Sequence, residues 1–215
     1  MNTQYDIRQV LLDWWERNGR VFPWRSERDP YRIFIAETLL HRTKAENVLP
    51  VYEDLIRMFP SFSAIAHGNE SVIRNIIYPL GLRWRTERLL EACRLIYYDQ
   101  NCKISMEKDR LMQLPGVGDY IASAIRVFCF GKRDPLIDAN TVRVISRFRG
   151  MSFSDVTRRN LKVKTWYLEL LGNSDPIDFA YSLIDLSALI CLPNIPKCNR
   201  CPLLIGCQTG IRKME

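Results

Sequence analysis

Apolar residues recur with a helical period along almost all of this 215-residue chain, and nowhere with the alternation of a strand bounded by turns. Between Gln4 and Arg17 they fall at Ile7, Val10, Leu11, Trp14 and Trp15, and Gly19 follows as a stop signal. Pro30 opens a second run, Tyr31 to Leu40, where its missing N–H costs least. A third, Lys44 to Phe59, carries Val48, Val51, Tyr52, Leu55 and Ile56 on one side. Two short runs, 63–66 and 71–78, precede a long one from Arg85 to Tyr98, whose arginines are expected on its outer face. Further helices are predicted over Lys108–Gln113, Tyr120–Phe130, from Asp138 onward, Thr157–Leu171 and Asp178–Ile190. The fold class predicted is all-α. The visible boundary lies near Lys132–Pro135, and periodicity leaves open which half the first helix joins.

Composition narrows the setting. No stretch reaches the roughly 18 uninterrupted apolar residues a membrane span needs. The segment Met1–Arg8 lacks the basic start and apolar run of a signal peptide, so the expected location is inside the cell, in the cytoplasm. A net charge of +7 favours a polyanionic partner over an acidic protein surface. Seven cysteines in a reducing compartment point to metal ligation rather than disulfides where they cluster.

They cluster at the end of the chain, as Cys191-x6-Cys198-x2-Cys201-x5-Cys207. Four thiolates so close can enclose one tetrahedral metal ion or a cubane cluster. Structural zinc sites usually pair two C-x2-C knuckles; a single C-x2-C with uneven flanking gaps favours iron–sulfur over zinc. Lys197, Arg200 and Arg212 surround this loop and could reach phosphates.

Three further constellations could carry chemistry. Leu114-Pro115-Gly116-Val117-Gly118 forms a tight turn between two helices. Gly116 and Gly118 allow conformations that side chains forbid, and let a phosphate approach the N–H groups opening the next helix. Asp138 leads a helix, where aspartate is among the best caps, worth about 0.5–2 kcal/mol. Held by helix N–H groups, the same carboxylate suits the stabilising of a developing cation or the orienting of a water. Glu37 sits inside an apolar run. It either lies on that helix's solvated edge, as glutamate commonly does, or faces a pocket where burial would make it a proton donor.

Helix, L-P-G-V-G and helix together resemble the helix-hairpin-helix element that grips a DNA backbone without reading its sequence. That resemblance implies a monovalent cation, K+ or Na+, held by the carbonyls of Met112, Leu114 and Val117. Added to Ile137-Asp138-Ala139-Asn140 and the cysteine spacing, the whole chain from Phe22-Pro23-Trp24 to Cys207 resembles the helix-hairpin-helix DNA glycosylase superfamily. The likeness is to its iron–sulfur branch, with endonuclease III and the mismatch adenine glycosylases. It implies two helical domains with a cleft between them: a six-helix domain with the hairpin over 25–134, and a [4Fe–4S] domain built from 1–24 and 135–215.

Within that superfamily the residue after Gly118-Asp119 is lysine in the strand-cleaving enzymes; here it is Tyr120. A phenol cannot form a Schiff base, so a monofunctional, water-using glycosylase is expected. Tyr120, Phe22-Pro23-Trp24-Arg25 and Ala36 to Thr43 look most like thymine/uracil mismatch glycosylases of thermophilic archaeal type. The resemblance implies Asp138, Glu37 and Tyr120 as active-site residues and cysteines 191, 198, 201 and 207 as cluster ligands. For the DNA it implies Arg42 filling the vacated gap with His41 beside it, Leu82 wedging the opposite strand, and Gly116, Val117 and Gly118 on the backbone. The expected partner is double-stranded DNA carrying a mismatched or damaged base, bound by a monomer. The alternatives are an adenine glycosylase acting on A:G or A:8-oxoguanine pairs, and a non-catalytic mismatch binder.

Overall fold

Short polar side chains start six of the helices, and the computed structural model, which describes residues 6–81, 83–151 and 161–214, shows each making its cap. Asp6 accepts from the Arg8 N–H to open α1 (Ile7–Asn18), and Asp29 accepts from the Arg32 N–H ahead of α2 (Pro30–Leu40). Ser61 and Asn69 do the same for α4 (Phe62–His67) and α5 (Glu70–Ile77), which follow α3 (Ala45–Met58). Then come α6 (Arg83–Tyr98), α7 (Lys108–Met112) and α8 (Asp119–Phe130). The chain continues with α9 (Ala139–Phe148), α10 (Leu161–Leu171), α11 (Pro176–Leu189) and α12 (Gln208–Met214). No strand occurs among the described residues. The start expected at Thr157 lies outside them.

The chain divides into two compact units, one continuous (Val21–Lys132) and one split (Met1–Arg20 with Arg133–Glu215). The sequence reading set these limits at 24/25 and 134/135. Residues 21–24 fall in the continuous unit because Phe22 and Trp24, stacked at 4.8 Å, are buried in its core. That core runs from Phe22 to Ile125 and is dominated by α2, whose residues Ile33 to Leu39 are all buried. Around it, α2 packs on α3, α6 and α8, and α4 packs on α6.

In the split unit α9 packs on α10, α11 and α12, and α1 packs on α11. Buried Asp185 of α11 explains why the first twenty residues belong there. Its carboxylate accepts from Trp15 Nε1 (3.1 Å), from the Arg20 backbone N–H (2.9 Å) and from Arg20 Nε (2.7 Å). Gly19, between these two donors, has extended backbone (φ −61°) and not a left-handed turn. Its missing side chain matters for space, since a Cβ there would stand 2.7 Å from Trp15 Nε1.

Candidate active site and metal centre

In the continuous unit α2 presents Glu37. The helix is buried along nearly its whole length, so the solvated-edge reading fails: Glu37 is 5% exposed. It lies close to Cys129 of α8, whose thiol burial pushes up to about 12, with the charges of Glu37 and Asp29 adding to the rise. Tyr120, in the first turn of α8, is half-buried and packs against the core beneath.

The hairpin joins α7 to α8 through Leu114 to Gly118. The Val117 N–H donates to the Leu114 carbonyl (3.0 Å), and buried Leu114 and Val117 side chains anchor the turn below. Lys108 reaches across to α8, to Ser123 Oγ (2.6 Å) and Asp119 (3.0 Å), fixing the angle between the helices. The two glycines prove unequal. Gly116 has φ +80°, and a Cβ would meet Arg88 Cβ at 2.9 Å, so glycine is required there. Gly118 caps α8 with extended backbone (φ −92°, ψ −177°), and a Cβ would meet nothing. Here the bareness serves space and not conformation: it leaves room in front of the helix N-terminus, where Gly118 supplies no side-chain cap.

After α2 the chain turns through His41, Arg42 and Thr43. Arg42 is exposed and adopts φ +59°, an uncommon conformation for a residue with a side chain. His41 is half-buried, its ring edge-on to Trp84 at 5.7 Å. Burial, then the charges of Arg42 and Arg85, hold its imidazole below the usual histidine range. The wedge assigned to Leu82 lies outside the described residues.

In the split unit Asp138 caps α9, as its position predicts. One carboxylate oxygen accepts from the Thr141 N–H (2.7 Å), the other from Asn140 Nδ2 (2.8 Å). Asn140 Oδ1 in turn accepts from Arg143 Nη1 (2.9 Å), and the same guanidinium donates to the carbonyls of Cys191 (2.9 Å) and Ser187 (3.0 Å). A chain of three hydrogen bonds, through the side chains of Asn140 and Arg143, therefore runs from Asp138 to the first cysteine of the loop. In the sequence Asn140 stands in the motif around Asp138 without a role of its own, and Arg143 goes unmarked. Their spacing from Asp138, two and five residues along one helix start, was the available signal.

All four loop cysteines line one cavity of about 30 Å³, walled by Ile190, Pro196 and Leu204. No carboxylate or imidazole lines it, so the donor set is all sulfur, suited to a thiolate-loving metal. Among the described residues no three His, Cys, Asp or Glu groups converge as they would on a single ion. The thiols surround a void about twice the space one water needs. Burial pushes the Cys201 thiol up to about 12 and that of Cys207 up as well, so thiolates here require a compensating cation. Arg147 Nη1 (3.5 Å from Cys191 Sγ) and the Gly210 N–H (3.3 Å from Cys207 Sγ) already point at sulfur. Lys197, Arg200 and Arg212 are exposed around the loop.

The chain as a whole has relatives among known proteins. Residues 35–166 match the sequence pattern of the HhH-GPD superfamily base excision DNA repair proteins. A thymine-DNA glycosylase of Aeropyrum pernix is 35% identical over 203 residues, covering 92% of this chain and 91% of the relative. A thymine/uracil-DNA glycosylase of Methanothermobacter thermautotrophicus is 35% identical over 200 residues, with 93% and 90% covered. The solved structure of a thermostable thymine-DNA glycosylase superposes with a TM-score of 0.88 at 32% identity, covering 99% of this chain and 100% of that one. With an all-helical fold and a glycine hairpin inside the matched region, the chain belongs to the HhH-GPD superfamily of base excision DNA repair proteins.

Proposed function

We propose that this protein is a monofunctional DNA glycosylase that hydrolyses the N-glycosidic bond of thymine or uracil mispaired with guanine. The observation that carries this reading is the 35% identity to thymine and thymine/uracil glycosylases over nine-tenths of both chains. Tyr120, where an amine would be needed for strand cleavage, supports the monofunctional part.

The target nucleotide is extruded from the stack at a cost of a few kcal/mol, least for a mismatch. Arg42 occupies the vacated space, and the bare end of α8 with the amides of the 116–118 turn binds a backbone phosphate. As the bond from C1′ to the base breaks, its electron pair leaves with the base and positive charge spreads over C1′ and the ring oxygen. The Asp138 carboxylate, fixed by Thr141 and Asn140, stabilises that charge and orients the water that attacks C1′. Buried Glu37 holds the departing base or that water, and Tyr120 shapes the pocket. The carbonyls of Met112, Leu114 and Val117 would hold K+ or Na+; that of Leu114 keeps a lone pair beyond its bond to Val117. Cysteines 191, 198, 201 and 207 would hold a [4Fe–4S] cluster, which supplies four covalent ties across the loop. The protein acts as a monomer in the cytoplasm.

A base-release assay on duplexes with T:G, U:G, A:G, A:8-oxoguanine and hypoxanthine pairs tests the reading. Release from T:G and U:G above the others is expected, and preferred release of adenine would replace it with the adenine reading. Asp138→Asn should lose at least about 100-fold in rate while still binding DNA. Efficient borohydride trapping of the wild type on DNA would rule out the monofunctional assignment.

A further inference from the structure

Arg85 is the largest fully buried side chain among the described residues, 1% exposed, although its helix is otherwise rich in outward-facing arginine. Its guanidinium faces oxygens from two separate segments. Nη1 donates to the carbonyls of Leu39 (2.7 Å) and His41 (2.9 Å) and to Thr43 Oγ1 (2.9 Å). Nη2 donates to the carbonyls of Leu80 (3.3 Å) and Gly81 (3.5 Å). No carboxylate among the described residues pairs with it, and Nε has no partner at all. Desolvation alone shifts this group, downward.

A cation buried without a counter-ion is a poor way to gain stability, since a neutral side chain of similar bulk would be less costly to bury. What the guanidinium does gain is order. Both segments it joins carry left-handed backbone, at Arg42 (φ +59°) and Gly81 (φ +70°), and both end on exposed groups suited to nucleic acid. Arg42 is exposed on the first. On the second, Tyr78 is 66% exposed beneath the Arg83 guanidinium at 5.9 Å, and Trp84, just beyond, is 48% exposed against His41. Such cation–aromatic faces stack on bases.

We propose that Arg85 is a positioning residue: it locks the His41–Thr43 loop and the Tyr78–Gly81 turn into one rigid frame, so that both enter the duplex together and extrude the target base. The proposal rests on the glycosylase reading for its substrate and goes beyond it in naming what prepares the insertion. Without the lock each segment moves separately, and an error of about 1 Å in such a loop costs on the order of 100-fold in rate.

The test compares wild type with Arg85→Lys, Arg85→Met and Thr43→Val on a T:G duplex carrying 2-aminopurine beside the target. Thr43→Val removes one acceptor and keeps the packing, so it reports even if the Arg85 variants fold poorly. Expected are near-normal affinity for a fully paired duplex, a smaller 2-aminopurine rise, and single-turnover base release slowed about 100-fold in the Arg85 variants and less in Thr43→Val. Variants that melt like wild type and extrude the base at its rate would overturn the proposal. So would a loss of paired-duplex binding equal to the loss of release, which marks general damage. A wild type that extrudes the base and releases none defeats the glycosylase reading alone, because the fluorescence still reads Arg85.

Discussion

Gly116 and Gly118 look interchangeable in sequence and are not. Gly116→Ala forces a side chain into left-handed backbone against Arg88 and should cost about 1–2 kcal/mol in denaturant unfolding, with DNA affinity falling too. Gly118→Ala should stay within about 0.5 kcal/mol of wild type and weaken only DNA binding, because its Cβ would intrude where a phosphate comes to the helix end. His41 offers a pH test. Its imidazole is held below its ordinary 6.5 by burial and by Arg42 and Arg85. The unfolded chain therefore takes up a proton that the folded one refuses. This contribution is complete above about pH 6.5 and declines as pH falls through and below it. Replacing His41 with glutamine should flatten the acid side of a melting-temperature profile; an unchanged slope would show that His41 titrates alike in both states.

At the level of helices, most of the fold could be read in advance, because burying one face imposes a period whatever the helix packs against. Val142, Ile145 and Phe148 of α9 are buried where that period put them. The reading erred on arginines that bond carbonyls. Arg85 was counted with the outer face, yet it lies one turn before Leu89 and shares the stripe of Cys93 and Ile96, all buried. Arginine is so rarely buried that residue type overrode position. Arg143 and Arg147 of α9 belong to the same class: they bond carbonyls of Ser187, Cys191, Leu192 and Pro193 and so stitch the cysteine loop to the helix that Asp138 caps. Arg147→Met should lower metal retention by about 10–100-fold, measured as iron per chain after dialysis against a chelator. Retention equal to wild type would mean the stitching is dispensable. Glu37 illustrates the opposite limit: its run of neighbours fitted either a wet edge or a pocket, and only the depth of α2 decided it.

At the level of the molecule, one unit is continuous and the other is assembled from both ends of the chain. One hydrophobic core, from Phe22 to Ile125, lies entirely within the continuous unit. A fragment spanning 21–132 should therefore fold alone, with helical circular dichroism and a cooperative melt that metal chelators leave unchanged. With the proposed metal centre in the 191–207 loop, chelation of the intact protein should melt the split unit first, giving two transitions in place of one. A single coincident transition would show that the units stand or fall together.

The split has a consequence for how the protein is made. Asp185, which receives Trp15 and Arg20, is translated some 165 residues after Arg20. On the ribosome α1 must wait as an unpartnered amphipathic segment while the continuous unit folds behind it. Cys207 arrives later still. Any metal centre held by all four thiols is thus a last act of synthesis, and a chain cut short before residue 207 has a finished hairpin but only three of the four cysteines.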